Sequence, residues 1–279
     1  MTLDTAVTAL AGALAGYATA KVLVALRTKA PPARSMRTNV NGRRVPVVLG
    51  GPLALGALTG MALVAMAGAV GWGPGSAGPV TAGTALLIVA LTLAGGLDDR
   101  RGNEPDRGFR GHLRAARSGR VTGGLVKLVT GGLAGLLAGA LVSSGAMVLV
   151  VGASVALGAN LLNLTDRAPG RAGKVWLLLV VPLLIWGDAA WAVAASPVAG
   201  ALLGCLGADL RERAMLGDAG ANPLGAVMGL GLGASLPAPG LLVAVTLLLA
   251  GNLASERWSF SSAIDGTRWL RAVDRLGRK

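Results

Sequence analysis

The chain has 279 residues, of which 53% are hydrophobic and only 14% are charged, whereas an ordinary soluble domain has about 25% charged residues. This composition excludes an ordinary soluble domain and is typical of an integral membrane protein. The formal net charge of +13 would suggest nucleic-acid binding in a soluble protein. Here the basic residues lie in short loops beside apolar runs, so contact with anionic lipid or phosphate explains them better, and we expect no nucleic-acid partner.

The apolar runs predict an all-α, polytopic membrane protein with about nine transmembrane helices. A spanning helix needs roughly 20 mainly apolar residues. The runs lack the period-2 alternation of a closed barrel, which is the other architecture that can span a bilayer. In chain order the predicted spans are 4–26, 46–72, 80–97, 124–142, 145–163, 174–187, 189–207, 219–236 and 239–255.

The basic residues mark every second gap between these spans. All 26 lysines and arginines fall in or beside five gaps, and the intervening gaps 73–79, 143–144, 187–189 and 233–239 contain none. Because cytoplasmic loops accumulate Lys and Arg, this pattern predicts an N-terminus outside and a C-terminus in the cytoplasm. The basic gaps are 27–46, which Lys21 adjoins, 98–127, 167–174, 211–213 and 257–279.

The sequence divides into a transmembrane helical domain, 1–255, and a short tail, 256–279. In the tail, Trp258, Trp269 and Val273 are interleaved with Arg268 and Arg271. Apolar and basic residues mixed in this way are typical of an amphipathic helix on a membrane surface. We therefore expect a cytoplasmic amphipathic tail.

Two adjacent carboxylates, Asp98 and Asp99, directly follow the third apolar run. One interpretation is a solvated helix end in which Arg100 and Arg101 balance their charge. The other is a site for a metal ion or a cationic substrate, because ionisable groups at membrane depth are candidates for function.

A second polar cluster ends the fifth predicted span and comprises Asn160, Asn163 and Asp166. Their spacing of three residues places them along one face of a helix. Interhelical hydrogen bonding or a helix C-cap are the structural alternatives to a binding site.

A third cluster, Met215 to Gly220 with Asp218 at its centre, precedes the eighth span. An aspartate here complements the positive end of a helix, so capping alone could explain it. The three clusters together supply oxygen ligands on one face, which suits Mg²⁺ with substrate phosphates and water. The basic loop 107–127 could neutralise such phosphates. The chain has one histidine, His112, and one cysteine, Cys205, so it offers no histidine–cysteine set for zinc.

These three clusters, in this order, resemble the polyprenyl-phosphate N-acetylhexosamine-1-phosphate transferases. That superfamily includes phospho-N-acetylmuramoyl-pentapeptide translocase and the GlcNAc-1-phosphate transferases. Weaker support comes from Val45 and Pro46 leading to Gly50 and Gly51, and the resemblance covers residues 43 to about 223. It implies a bacterial cytoplasmic membrane enzyme that acts in cell-envelope glycan assembly.

The resemblance also implies the reaction and its participants. The family transfers a sugar-1-phosphate from a nucleotide sugar, usually UDP-linked, to polyprenyl phosphate, with Mg²⁺ as cofactor and Mn²⁺ as an alternative. It leaves a homodimer open as the assembly.

The implied roles follow the matching positions. Asp98, Asp99 and Asp218 would be catalytic, and Asp218, Asn163 and Asp99 would hold the metal. Substrate binding would fall to Lys127 at the phosphate, to Asn160 and Asp166 at the nucleotide sugar, and to Arg44 and Arg257.

The sequence departs from the family in three places. Pro169 stands where the second motif usually has another aspartate, and Met215 and Leu216 stand where the third often has an aromatic residue. The family's histidine-containing loop and tenth helix are also missing, and Arg257 could replace those histidines at a phosphate. These departures leave a second hypothesis open, a degenerate homologue that binds polyprenyl phosphate or a partner protein and regulates envelope assembly. A transporter has less support, because transporters commonly place their sites near the midplane.

Overall fold

The computed structural model describes residues 2–72, 77–101, 114, 117–119 and 122–278. Most of the described chain is α-helical, as the sequence predicts. The helices are α1 (Leu3–Lys29), α2 (Gly50–Ala69), α3 (Ala77–Arg101), α4 (Gly123–Val142), α5 (Met147–Thr165), α6 (Arg171–Trp186), α7 (Ala189–Leu210), α8 (Asp218–Ser235), α9 (Ala238–Ser255), α10 (Phe260–Gly266) and α11 (Arg268–Arg275).

Among the described residues, seven helices are long and apolar enough to cross a membrane: α1 to α5, α7 and α9. The chain is therefore a multi-pass membrane protein in its composition and helix lengths. Nine spans were predicted, and α6 and α8 fall at the two that are not among these seven. Helix α6 has only 16 residues, and α8 begins with Asp218 and contains Asn222 among several glycines.

Helix α8 lies at the centre of the bundle, where all residues from 220 to 231 are buried. Two fully buried tryptophans from neighbouring helices pack against it. The Trp176 indole of α6 donates a hydrogen bond to the Leu224 carbonyl (2.7 Å), and the Trp191 indole of α7 donates to the Val227 carbonyl (3.3 Å). A buried indole N–H needs such a partner, so these bonds fix both helices against α8.

The basic gaps meet at one end of the bundle, which we call the basic end. There the Asn39 and Asn41 side chains donate to the Glu212 carboxylate at 2.6 and 2.9 Å. The Arg278 side chain donates to the Pro169 carbonyl at 2.8 Å. At the opposite end, the Asp188 N–H donates to the Ser235 hydroxyl. The alternation of basic and uncharged gaps thus corresponds to the two ends of the helices.

A small β-hairpin lies within the segment that the sequence analysis treated as a loop and as the start of the second span. Strand β1 (Met36–Thr38) pairs antiparallel with β2 (Arg44–Pro46). The turn is stabilised by the Asn39 carboxamide oxygen, which accepts the N–H groups of Asn41 and Arg43. Gly42 supplies a positive φ of 76°. The second apolar helix consequently begins at Gly50 rather than at 46.

The tail folds as two short helices, α10 and α11, and an ion pair attaches it to α6. The Arg171 guanidinium makes two hydrogen bonds of 2.9 Å to the Asp274 carboxylate, and the Arg278 guanidinium adds a third at 2.7 Å. Asp274 is buried, whereas Trp258 and Trp269 are exposed. Burial alone would raise the pKa of Asp274, but the Arg171 hydrogen bonds and the charges of Arg171 and Arg278 hold that pKa below its usual value.

Candidate functional site

Three helix ends bring together two of the predicted catalytic carboxylates and a lysine at the basic end. The Lys127 ammonium of α4 donates to Asp98 of α3 at 2.6 Å and to Asp218 of α8 at 2.5 Å. Each of the three side chains is only 20–23% exposed. Partial burial strengthens these attractions relative to an exposed ion pair. The three residues together with Asp99 are called the carboxylate site below.

Asp99 caps the start of helix α8. Its carboxylate accepts the N–H groups of Asp218 (3.1 Å) and Ala219 (3.0 Å). The first N–H groups of a helix have no partner within the helix, so a carboxylate placed there is stabilising. The Arg37 guanidinium donates to the Asp99 carbonyl at 2.6 Å.

These contacts give each carboxylate of the pair a partner on another helix. Asp98 accepts a hydrogen bond from Lys127, and Asp99 accepts the N–H groups at the start of α8. The Asp218 side chain faces Lys127, and a different residue, Asp99, supplies the cap of its helix.

Glycines allow the three helix ends to approach so closely. Gly217 precedes α8 with a φ of 66°, which favours glycine, and a Cβ there would lie 2.9 Å from an Asp99 oxygen. A Cβ on Gly95 of α3 would overlap the Asp218 backbone. The glycines around the first and third clusters therefore have a steric role in the site.

Asp166 also joins the site, at the point where α5 ends. Its carboxylate accepts a hydrogen bond from the Gly217 N–H. Burial raises the pKa of Asp166, and the nearby carboxylates of Asp209, Asp218 and Asp99 raise it further. This carboxyl therefore keeps its proton to a higher pH than an ordinary aspartate does.

Asp209 was not singled out from the sequence. It lies near the end of α7, is 3% exposed, and has one oxygen without a hydrogen-bond partner among the described residues. A cavity of about 20 Å³ between Asp166, Asp209 and Glu212 is large enough for roughly one water molecule. The sequence signal that could have identified Asp209 is a single acidic residue at the end of an apolar run.

Four other predicted site residues are not tied to the carboxylate site by the contacts of the described residues. The Asn160 side chain donates to Asn252 of α9 at 2.5 Å, which is the interhelical hydrogen bond considered above as an alternative. Asn163 is half-buried one turn before Asp166, and Arg44 and Arg257 are exposed. Their proposed roles in binding stay predictions.

The donor set fits a magnesium ion bound together with substrate. Among the described residues, no three His, Cys, Asp or Glu side chains form a group that could hold a metal by themselves. Asp98 and Asp218 nevertheless direct one oxygen each to a single cation, the Lys127 ammonium. Mg²⁺ in proteins commonly takes one or two carboxylates and completes its shell with phosphate oxygens and water.

The basic loop 107–127, predicted to neutralise phosphates, lies largely outside the described residues. Of its length, residues 114, 117–119 and 122–127 are described, and His112 is not.

The chain matches no protein-family model, and no curated protein matches it.

Proposed function

We propose that this chain transfers a sugar-1-phosphate from a nucleotide sugar, UDP-linked, to polyprenyl phosphate in a Mg²⁺-dependent reaction of cell-envelope glycan assembly. The observation that carries the proposal is the meeting of Asp98, Lys127 and Asp218 from three helices. The proposal places nine spans in a bacterial cytoplasmic membrane, with the N-terminus outside and the C-terminus in the cytoplasm. A homodimer belongs to the same proposal.

In this reaction, an oxygen of the lipid phosphate attacks the phosphorus that bears the sugar. The bond from that phosphorus to the bridging oxygen breaks, and a nucleoside monophosphate leaves with that oxygen. The products are a polyprenyl diphosphate sugar and the monophosphate. Because phosphoryl transfer depends mainly on positioning and on charge neutralisation, fixed charges at the basic end are suited to it.

The residues of the carboxylate site have separate roles. Asp98 orients the lipid phosphate and accepts its proton. Lys127, held between two carboxylates, turns its positive charge to the phosphate oxygens. Asp99 fixes the start of α8 and thereby the position of Asp218. Asp218 would hold Mg²⁺, with Asp99 and Asn163 beside it, and the ion would neutralise charge on the transferred phosphate.

The test is release of nucleoside monophosphate by purified protein in the presence of polyprenyl phosphate, Mg²⁺ and a panel of nucleotide sugars. Asp98→Asn and Asp218→Asn should each lower turnover by about 10²-fold or more, the scale seen when a catalytic electrostatic contact is lost. Glu256→Gln is the matched control, because Glu256 is exposed after α9. Equal turnover in all four proteins would refute the assignment.

A second candidate function is a degenerate homologue that binds polyprenyl phosphate, or a partner protein, without turnover. One departure from the transferase family favours this candidate: Pro169 stands where that family usually has an aspartate. Here the Pro169 carbonyl accepts a hydrogen bond from Arg278 of the tail. Lipid binding without turnover on any nucleotide sugar of the panel would support this candidate over the enzyme.

A further inference from the structure

A groove of about 530 Å³ opens at the basic end, between the end of α1, the start of α2 and the end of α3. Its volume lies within the roughly 300–1,000 Å³ of small-molecule sites. The carboxylate site adjoins it, because Asp99 is one of its lining residues. None of the substrate-binding residues predicted from the sequence lines this groove.

The walls of the groove are apolar and follow α3 away from the charged end of the helix. Leu93 and Leu97 lie on this wall and are exposed, and Val48 also lines the groove. At 1.5 Å per residue, Leu93 lies roughly 9 Å along the helix from Asp99. The wall therefore extends from the basic end into the apolar part of the bundle surface.

Three arginines, Arg27, Arg34 and Arg100, line the groove. Within the described part of the chain, none of their guanidinium groups makes a hydrogen bond or an ion pair. The one acid of the lining, Asp99, already has its carboxylate on the N–H groups of α8. The polar part of the groove is thus cationic, with guanidinium donors that suit a phosphate.

Building on the proposed function, we infer that this arginine groove binds the phosphate and the first part of the chain of polyprenyl phosphate. A phosphate monoester complements the three arginines, and an isoprenoid chain complements the apolar wall. A phosphate held here lies beside Asp99 and hence beside the carboxylate site. The remainder of the chain continues into the bilayer.

Glycines in the groove wall allow a test that fills it without disturbing the fold. A Cβ on Gly51 of α2 would meet no atom within 4 Å, so Gly51→Leu places its side chain in the groove. Gly68 lies at the other end of the same helix with equally open space. Gly68→Leu is therefore the matched control, and Arg268→Gln in the tail is the control for Arg27→Gln and Arg34→Gln.

The experiment measures binding of polyprenyl phosphate to the full-length protein in nanodiscs, without nucleotide sugar, so that turnover plays no part. We expect each arginine variant of the groove to weaken binding about tenfold or more, because it removes one charge-assisted hydrogen bond to the phosphate. We expect Gly51→Leu to weaken binding by a similar factor, because its side chain occupies the space of the lipid chain. Both controls should bind as the wild type does. Polyprenol without phosphate should bind weakly.

Equal binding by all variants would overturn the inference and leave the proposed function intact, since turnover is assayed separately. Equal competition by an ordinary anionic phospholipid, or equal binding of polyprenol, would also overturn it, because the groove would then not select this lipid. Loss of turnover in Asp98→Asn with unchanged lipid binding would support both assignments. Wild-type lipid binding without any turnover would refute the enzyme and keep the groove.

Discussion

At the residue scale, the central feature is a lysine that is shared by two carboxylates from other helices. The sequence presented Lys127 as a phosphate contact and Asp98 and Asp218 as separate motif residues. The structure joins them through one ammonium group. An unpaired carboxylate would be costly at these partly buried helix ends, so Lys127 stabilises both carboxylates.

Gly123, the first residue of α4, is predicted to be required for this arrangement. A Cβ at this position would overlap an oxygen of Asp98. Gly123→Ala should therefore displace the Asp98 carboxylate from Lys127 and lower turnover about tenfold, the effect of one hydrogen bond to a charged group. Thermal stability should not fall in parallel, because alanine favours the helix by up to about 1 kcal/mol.

Gly132→Ala in the same helix is the control for this prediction, since a Cβ there meets nothing within 4 Å. Turnover and thermal unfolding of both variants in detergent are the two measurements. Wild-type turnover in Gly123→Ala would show that the position of the Asp98 carboxylate does not matter.

At the element scale, the tail is fixed to the bundle by charge. Helix α11 is attached through Asp274, whose carboxylate accepts bonds from Arg171 of α6 and from Arg278. Lys174 also donates to carbonyl groups at the end of α11. The tail therefore packs directly on the segment that follows Asp166.

Attachment of the tail should depend on pH in the acid range. The folded-state pKa of Asp274 is lowered, so its stabilising contribution is complete above the unfolded-state pKa of about 3.9 and is lost as the pH falls through the folded-state value. The protection of residues 260–275 from hydrogen exchange, relative to the intrinsic exchange rate at each pH, should therefore fall below about pH 4. Asp274→Asn should exchange faster at neutral pH and lose most of this dependence.

Asp265→Asn is the matched control for the pH series, because Asp265 is exposed on the neighbouring helix α10. It should keep the pH dependence of the wild type. If Asp274→Asn also kept that dependence, a different group would have to control attachment of the tail.

At the scale of the whole molecule, charge separates the two ends of the bundle. The basic end contains the hairpin, the carboxylate site, the arginine groove and the tail. The opposite end has short connections, such as the one at Ser143, that contain no lysine or arginine. This asymmetry predicts the orientation in the membrane, and the candidate site lies at the basic end.

Cysteine labelling in intact cells would measure this orientation. Cys205 is buried and is the only native cysteine, so Cys205→Ala provides a background without thiols. Within it, Ser144→Cys and Ser259→Cys introduce exposed thiols at opposite ends of the bundle. A membrane-impermeant maleimide should label position 144 in intact cells and position 259 only after permeabilisation. The reverse pattern would invert the topology.

The sequence by itself determined the fold class, most of the helices and the common end of the charged loops. In a bilayer, backbone N–H and C=O groups must be hydrogen-bonded within the protein, and apolar runs without period-2 alternation can achieve this only as helices. Charged side chains are restricted to the loops because their transfer into the hydrocarbon is unfavourable. These are properties of local composition, and they also placed Asp98, Asp166 and Asp218 at helix ends that meet.

Only the tertiary structure decided which groups touch. That Lys127 joins two carboxylates, that Asp99 caps a helix 119 residues further along the chain, and that Arg27 and Arg34 line a groove with α3 all depend on how helices pack. So does the pairing of Asn160 with Asn252, which assigned an interhelical bond to a residue predicted to bind substrate. Helix packing depends on close contacts between residues far apart in the chain, such as Gly95 against Asp218 and Gly217 against Asp99. The sequence pattern does not specify which of these residues come into contact.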